Sequence, residues 1–193
     1  MIEYLYIILA STLFGIQHSG MSALLVKSKI VDRWGKEGYA RAFTISSVLT
    51  FIIAFLSMNF YDWIYFIDNP TLIQPVLFFS GILAGIIGVV LAVMASKVIS
   101  VSTVADMRTD RKAELVTDGI YSRVRHPLYL ATILVFLALV LIYPYAPVIV
   151  FSLCMIFYTT IGAYFEEQKL IHHYGEEYLE YKKKAGFILP RFV

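Results

Sequence analysis

From Ala42 to Tyr61, and again from Gln74 to Ser96, the chain carries no charged residue. Each run has the length of about 20 mostly apolar residues that a helix needs to cross a bilayer. Three further apolar runs accompany them. Ile2–Val26 is interrupted by Glu3 near its start and by Gln17 and His18 inside; Pro127–Tyr143 follows; the last extends from about Pro147 to Phe165. The fourth is short, about 25 Å at 1.5 Å per residue. Pro144-Tyr145-Ala146-Pro147 then makes a tight turn, so the last two runs read as a helical hairpin. Composition agrees: the 193 residues are 59% hydrophobic and 16% charged, against roughly 45–50% and about 25% in soluble domains. A soluble chain this small has too much surface to hide that apolar excess. Disorder, collagen and a disulfide scaffold are excluded. Cys154, the single cysteine, allows no internal bridge and no CxxC metal site, and is expected to fill space in the fifth run. A net charge of +2 makes no case for nucleic acid.

The basic residues sort into three segments: Lys27, Lys29, Arg33, Lys36 and Arg41; Lys97, Arg108, Arg111, Lys112, Arg123 and Arg125; and Lys169, Lys182, Lys183, Lys184 and Arg191. These are all 16 of them, and neither the loop Asp62–Ile73 nor the turn at Tyr145 has one. Basic residues are retained on the cytoplasmic side of short loops. The sequence therefore predicts an all-α integral membrane protein with five transmembrane helices. The N-terminus lies outside; the C-terminus, ending in a helical segment, and all three basic segments are cytoplasmic. The chain reads as a single membrane domain, 1–193, with a three-helix part over 1–96 and a cofactor-binding part over 97–193. No basic n-region precedes the first run, and Glu3 stands where one would be, so that run is expected to be retained. Gly81, Gly85 and Gly88 line one face of the third run; packing within the bundle is favoured over a dimer contact.

Two polar clusters are expected to meet at the cytoplasmic interface. One is Asp118–Tyr129, entering the fourth run; the other is Glu166-Glu167 with Tyr174–Tyr181, leaving the fifth. In Arg125-His126-Pro127, proline suits a first helical turn, whose free N–H groups and partial positive charge attract an anion. Arg125 and His126 add donors, suiting a carboxylate or phosphate; the plainer alternative is that Arg125 snorkels and His126 caps the helix. Glu166 and Glu167 project about 100° apart on a helix, so one can face the bundle and the other the cytoplasm. Two carboxylates at a helix C-terminus also oppose its dipole, which tilts the balance toward a function. His172 and His173 with Glu176 and Glu177 lack a third strong ligand, so no metal is expected. Gln17 and His18 sit inside an apolar run, where polar side chains either line a functional site or bond between helices.

In order, Gly119-x-Tyr121-x-x-x-Arg125-His126-Pro127-x-Tyr129, Glu166-Glu167-x-x-Leu170, Tyr174-Gly175-x-x-Tyr178-x-x-Tyr181 and Pro190 resemble the C-terminal half of the isoprenylcysteine carboxyl methyltransferase superfamily, which includes phospholipid methyltransferases. Phe14-Gly15-Ile16-Gln17-His18-Ser19-Gly20-Met21 with Arg41 resembles its NnrU-like and methanethiol S-methyltransferase branch. The resemblance implies S-adenosylmethionine as methyl donor. It implies cofactor contacts at Val116, Gly119, Tyr121, Arg125, His126, Pro127, Tyr129, Glu167, Tyr178 and Tyr181. Arg125, His126 and Glu167 become the catalytic candidates, with Glu167 or His126 as base or as orienting group. The tail Ala185–Pro190 departs from many relatives, which carry a basic residue and an earlier proline, so it is expected to close the site differently.

A membrane location suits a charged, water-soluble donor meeting a greasy acceptor. Gln17 and His18 are the candidate acceptor-side residues. The acceptor is lipophilic or a thiol: an isoprenylcysteine-like carboxylate, a phospholipid amine or a small thiol. Membrane lipid is the implied partner. A sterol-reductase-like enzyme using NADPH, and a non-enzymatic NnrU-like membrane protein, are the competing readings. The chain is short for the first, and only Arg123 and Arg125 are in place for a 2′-phosphate.

Overall fold

The computed structural model describes residues 2–59, 69, 73–98 and 115–191. Most of the loop 62–73 and the basic residues Arg108, Arg111 and Lys112 lie outside that set. The helices are α1 Ile2–Ser22, α2 Leu24–Leu56, α3 Pro75–Val98, α4 Pro127–Ile142, α5 Ala146–Tyr174 and α6 Glu176–Lys184, with a 3-10 turn at Gly119–Ser122. No strand occurs among the described residues; Val124 and Gly186 form an isolated parallel bridge. Among the described residues three helices are long and apolar enough to cross a membrane: Leu25–Leu56, Pro75–Val98 and Ala146–Tyr174. The apolar α4 is shorter, at 16 residues. Ile45, Leu49 and Ile52 on α2 and Phe79, Leu83 and Val90 on α3 are all exposed. Water would not tolerate so much open aliphatic surface; lipid does.

The chain divides into two units, 1–74 with 143–155 and 75–142 with 156–193. In the first, α1 packs on α2. Their contact holds a polar ladder: Gln17 Nε2 donates to Ser46 Oγ at 2.7 Å, Thr50 Oγ1 donates to Gln17 Oε1 at 3.0 Å, and His18 Nδ1 lies 3.1 Å from Ser47 Oγ. The core around Ile7, Ala54, Met58 and Phe151 is fully buried, with Phe151 edge-on to Phe51 and Phe55. The first apolar run ends sooner than its composition suggests. Ala23 is extended (ψ 135°), and the basic segment after it is helical. That helix breaks again at Gly35, whose φ of 72° and ψ of 173° are open only to glycine.

In the second unit α3 and α4 run antiparallel, and the small-residue stripe is spent on that contact. A Cβ on Gly81 would come within 2.7 Å of Ile142 Cγ1 and 3.0 Å of the Ala138 carbonyl; one on Gly88 would sit 3.0 Å from the Ala131 carbonyl. Tyr129, on the first turn of α4, lies against Gly162 of α5. The amphipathic α6 buries Tyr178 and Tyr181, which with Tyr174 and Ala185 form a core closed by Leu115, Leu170 and Ile171.

Candidate active site

Arg125 and Glu167 are 42 positions apart, yet they form one buried ion pair. Arg125 Nε and Nη2 lie 2.9 Å and 2.7 Å from Glu167 Oε1, and both side chains are only 8% exposed. Lys182 Nζ adds a second cation 3.6 Å from the same oxygen. Such a pair persists only if its remaining donors are satisfied. Here Arg125 Nη1 donates to the carbonyls of Lys182 and Ala185. Four of the five guanidinium N–H groups are thus spent on the protein itself.

The C-terminal tail completes the arrangement. Arg125 N donates to the Gly186 carbonyl at 2.8 Å and His126 N to the Phe187 carbonyl at 3.2 Å; Gly186 N and Arg191 N both donate to the Arg123 carbonyl. The donors before α4, which the sequence suggested for an anion, are therefore partly capped by the chain's own tail. Gly186 is obligatory there, because a Cβ would stand 2.0 Å from the Leu189 carbonyl oxygen. Phe187 packs edge-on to His126 at 5.1 Å and under the Arg125 guanidinium at 5.8 Å. Tyr181 donates to the Tyr121 carbonyl at 2.6 Å, tying α6 to the 3-10 turn.

His126 is 4% exposed, with Tyr129 on its other side at 5.5 Å. Burial pushes its imidazole down to about 4; the Glu167 charge opposes this and the Arg125 charge adds to it. The ring is neutral at pH 7. Burial, reinforced at Tyr178 by Glu167, likewise raises the phenols of Tyr178 and Tyr181, so both stay protonated. His126 Nε2 and the hydroxyls of Tyr174 and Tyr178 are buried without a hydrogen-bond partner among the described residues. Tyr178 feels Glu167 and Arg125 electrostatically but makes no hydrogen bond of ordinary geometry.

Of the sequence candidates, Tyr121, Arg125, His126, Pro127, Tyr129, Glu167, Tyr178 and Tyr181 gather in this one cluster. Val116 is half-buried in the extended segment before the turn; Gly119, with φ +60°, lies at the C-terminal end of α3. Gln17 and His18 belong to the other unit, in the ladder on α2. Glu167 turns inward while Glu166 stays at the surface with Lys169 at 3.6 Å. The helix-dipole argument for the two glutamates lapses, because α5 continues past them to Tyr174. Lys182 was not singled out from sequence; Tyr174 entered only as part of a motif, and Ala185, Gly186 and Phe187 only as part of a divergent tail expected to close the site differently. The spacing of Tyr174, Tyr178, Tyr181 and Ala185 is a helical stripe that could have flagged two of them. His172 and His173 are exposed at the end of α5, and among the described residues no three potential ligands converge on a metal position.

The family model for phospholipid methyltransferase matches residues 76–177, over half of the chain and spanning Arg125 through Glu167. The long apolar helices and this match together support an integral membrane protein. The chain belongs to the phospholipid methyltransferase family. It is similar to methanethiol S-methyltransferase of Pseudomonas deceptionensis, 37% identical over 76 residues, covering 38% of this chain and 28% of that protein. It is also similar to methanethiol S-methyltransferase 1 of Bradyrhizobium diazoefficiens, 26% identical over 201 residues, covering 95% of this chain and 65% of that protein. The chain spans less than two thirds of the length of either relative. No solved structure matches it.

Proposed function

We propose that this protein transfers a methyl group from S-adenosylmethionine to a small or lipophilic thiol at the cytoplasmic face of a five-helix membrane domain. The single observation that carries the proposal is the cluster of buried Arg125, Glu167 and His126, inside the family-matched region, with buried Tyr178 and half-buried Lys182 just beyond its end. The contacts of Tyr129 with Gly162 and of Arg125 with Glu167 support reading α4 and α5 as a hairpin.

The residues present fit the cofactor. Among the described residues a buried neutral imidazole and two buried phenols lack partners, which costs about 1–3 kcal/mol each unless a ligand or solvent satisfies them. The ion cluster has two cations to one carboxylate, favouring a ligand carboxylate. The rings of Tyr129, Tyr178, Tyr181 and Phe187 suit an adenine and a sulfonium. When bound, the cofactor supplies an activated methyl on positively charged sulfur. Arg125 and Glu167 position the tail and α6 around it, His126 and Tyr178 offer polar contacts, and the closed tail excludes water. Val116, Gly119, Tyr121 and Pro127 complete the proposed contact set.

The acceptor follows from the weakness of the bases. Glu167 is committed to two cations, and the His126 imidazole is held at about 4. Stripping a proton from an ammonium headgroup needs more than this; a thiol ionises far more readily. Both relatives are named for a thiol acceptor. Gln17 and His18 are the proposed acceptor-side residues. A thermal-shift titration of the purified protein tests the cofactor assignment. Ligand at a hundredfold excess over Kd adds about 2.7 kcal/mol of apparent stability. Stabilisation by S-adenosylhomocysteine supports the proposal; stabilisation by NADPH alone overturns it in favour of a reductase, and by neither, in favour of a non-enzymatic protein.

A further inference from the structure

The segment between α1 and the membrane-crossing arm of α2 is a built element rather than a loop. It is bounded by the extended Ala23 and by Gly35. Over 24–34, Val26, Ile30, Val31 and Trp34 fall on one arc of the helix, which Lys27 shares, and Ser28, Lys29, Asp32 and Arg33 on the other, which carries one apolar residue, the exposed Leu25. Trp34 is packed at its base: a Cβ on Gly38 would meet Trp34 Cβ at 2.6 Å. Its indole nevertheless projects outward, 60% exposed. Lys27 Nζ reaches the Tyr39 ring at 5.4 Å, and Tyr39 donates to the Met21 carbonyl, so both ends of the segment are anchored. Lys29, Arg33 and Lys36 are exposed, and the carboxylate of Glu37 is taken by Arg41.

We propose that residues 24–34 form an interfacial helix that, with Lys36 just past the Gly35 break, collects anionic phospholipid headgroups. Depth argues for lipid over any other partner. The helix joins directly to a membrane-crossing arm, so it sits at headgroup level, where an exposed tryptophan is at home and lysines meet phosphates. Charge complementarity selects the anionic lipid. A basic side chain near an anionic surface is worth about a fivefold gain, so three of them concentrate such lipids strongly.

The test uses the full chain with Trp63→Phe, leaving Trp34 as the only indole, reconstituted into phosphatidylcholine nanodiscs. These are doped sparsely with acyl-brominated phosphatidylglycerol or, in parallel, brominated phosphatidylcholine, either of which quenches a nearby tryptophan. The proposal expects Trp34 quenching severalfold greater with the phosphatidylglycerol, falling to parity in K29Q/R33Q/K36Q and in high salt. Equal quenching by the two lipids in the parent overturns the headgroup selection. Quenching by neither places Trp34 in water and overturns the interfacial helix. Selectivity persisting in the triple variant removes the basic face from the account.

Discussion

Removing one side of the Arg125–Glu167 pair leaves the other charge buried. Both side chains are 8% exposed, and breaking such a pair costs about 3–5 kcal/mol. The two sides are not equivalent. In Glu167→Gln, Arg125 keeps the carbonyls of Lys182 and Ala185, and Lys182, 32% exposed, can turn to solvent. The loss should be near the lower end, about 3 kcal/mol. In Arg125→Met, Glu167 retains Lys182 at 3.6 Å, but the carbonyls of Lys182 and Ala185 also lose their donor. The loss should approach 5 kcal/mol. The double variant Arg125→Met/Glu167→Leu removes both charges and should be more stable than Arg125→Met alone. Reversible unfolding in mixed detergent micelles measures all three. Hydrogen exchange provides an independent signature: the amides of Gly186 and Arg191 should exchange faster in Arg125→Met and stay protected in Glu167→Gln. If the two single effects simply add in the double variant, or the tail amides respond alike to both, the pair does not organise the site as argued.

Three shorter tests follow. The His126 imidazole is held at about 4, below the ordinary 6.5, so the unfolded chain binds more protons between those values. Its contribution is complete above pH 6.5 and lost as pH falls toward 4; the parent should lose about 3 kcal/mol more than His126→Asn over that window, and parallel pH profiles would count against a buried neutral ring. Gly186→Ala should dislodge the tail, because its Cβ would collide with the Leu189 carbonyl, and tail-amide exchange should rise with α3 and α4 unaffected. His18→Ala should cut kcat/KM for the acceptor while leaving cofactor affinity intact; unchanged kinetics with a small drop in Tm would reduce His18 to its contact with Ser47.

The sequence was most legible where side-chain chemistry leaves a pattern. Uncharged runs marked the helices, and the order of Arg125-His126-Pro127, Glu166-Glu167 and the tyrosines marked the cluster. It could not say which glutamate turns inward, since that depends on the phase of α5 against its neighbours. It marked the tail as a departure that closes the site but not its contacts, because Gly186 and Phe187 engage Arg125 and His126 through backbone groups that any residue carries. Lys182 was hidden for another reason: three adjacent lysines look alike, and only the phase of α6 brings one to Glu167. The helical nature of the first basic segment was masked by its charges, and a single glycine with φ 72° separates it from the crossing arm.

The central claim is methyl transfer, and it is tested most directly by following a labelled methyl group. Purified, lipid-reconstituted protein is supplied with methyl-labelled S-adenosylmethionine and, in turn, a small thiol, a prenylcysteine and an amine-headgroup phospholipid. The account predicts protein-dependent label in the thioether product, lost in Tyr178→Phe/His126→Asn while the fold is retained, and little label in the phospholipid. A folded protein that labels none of the three above the protein-free control would contradict it.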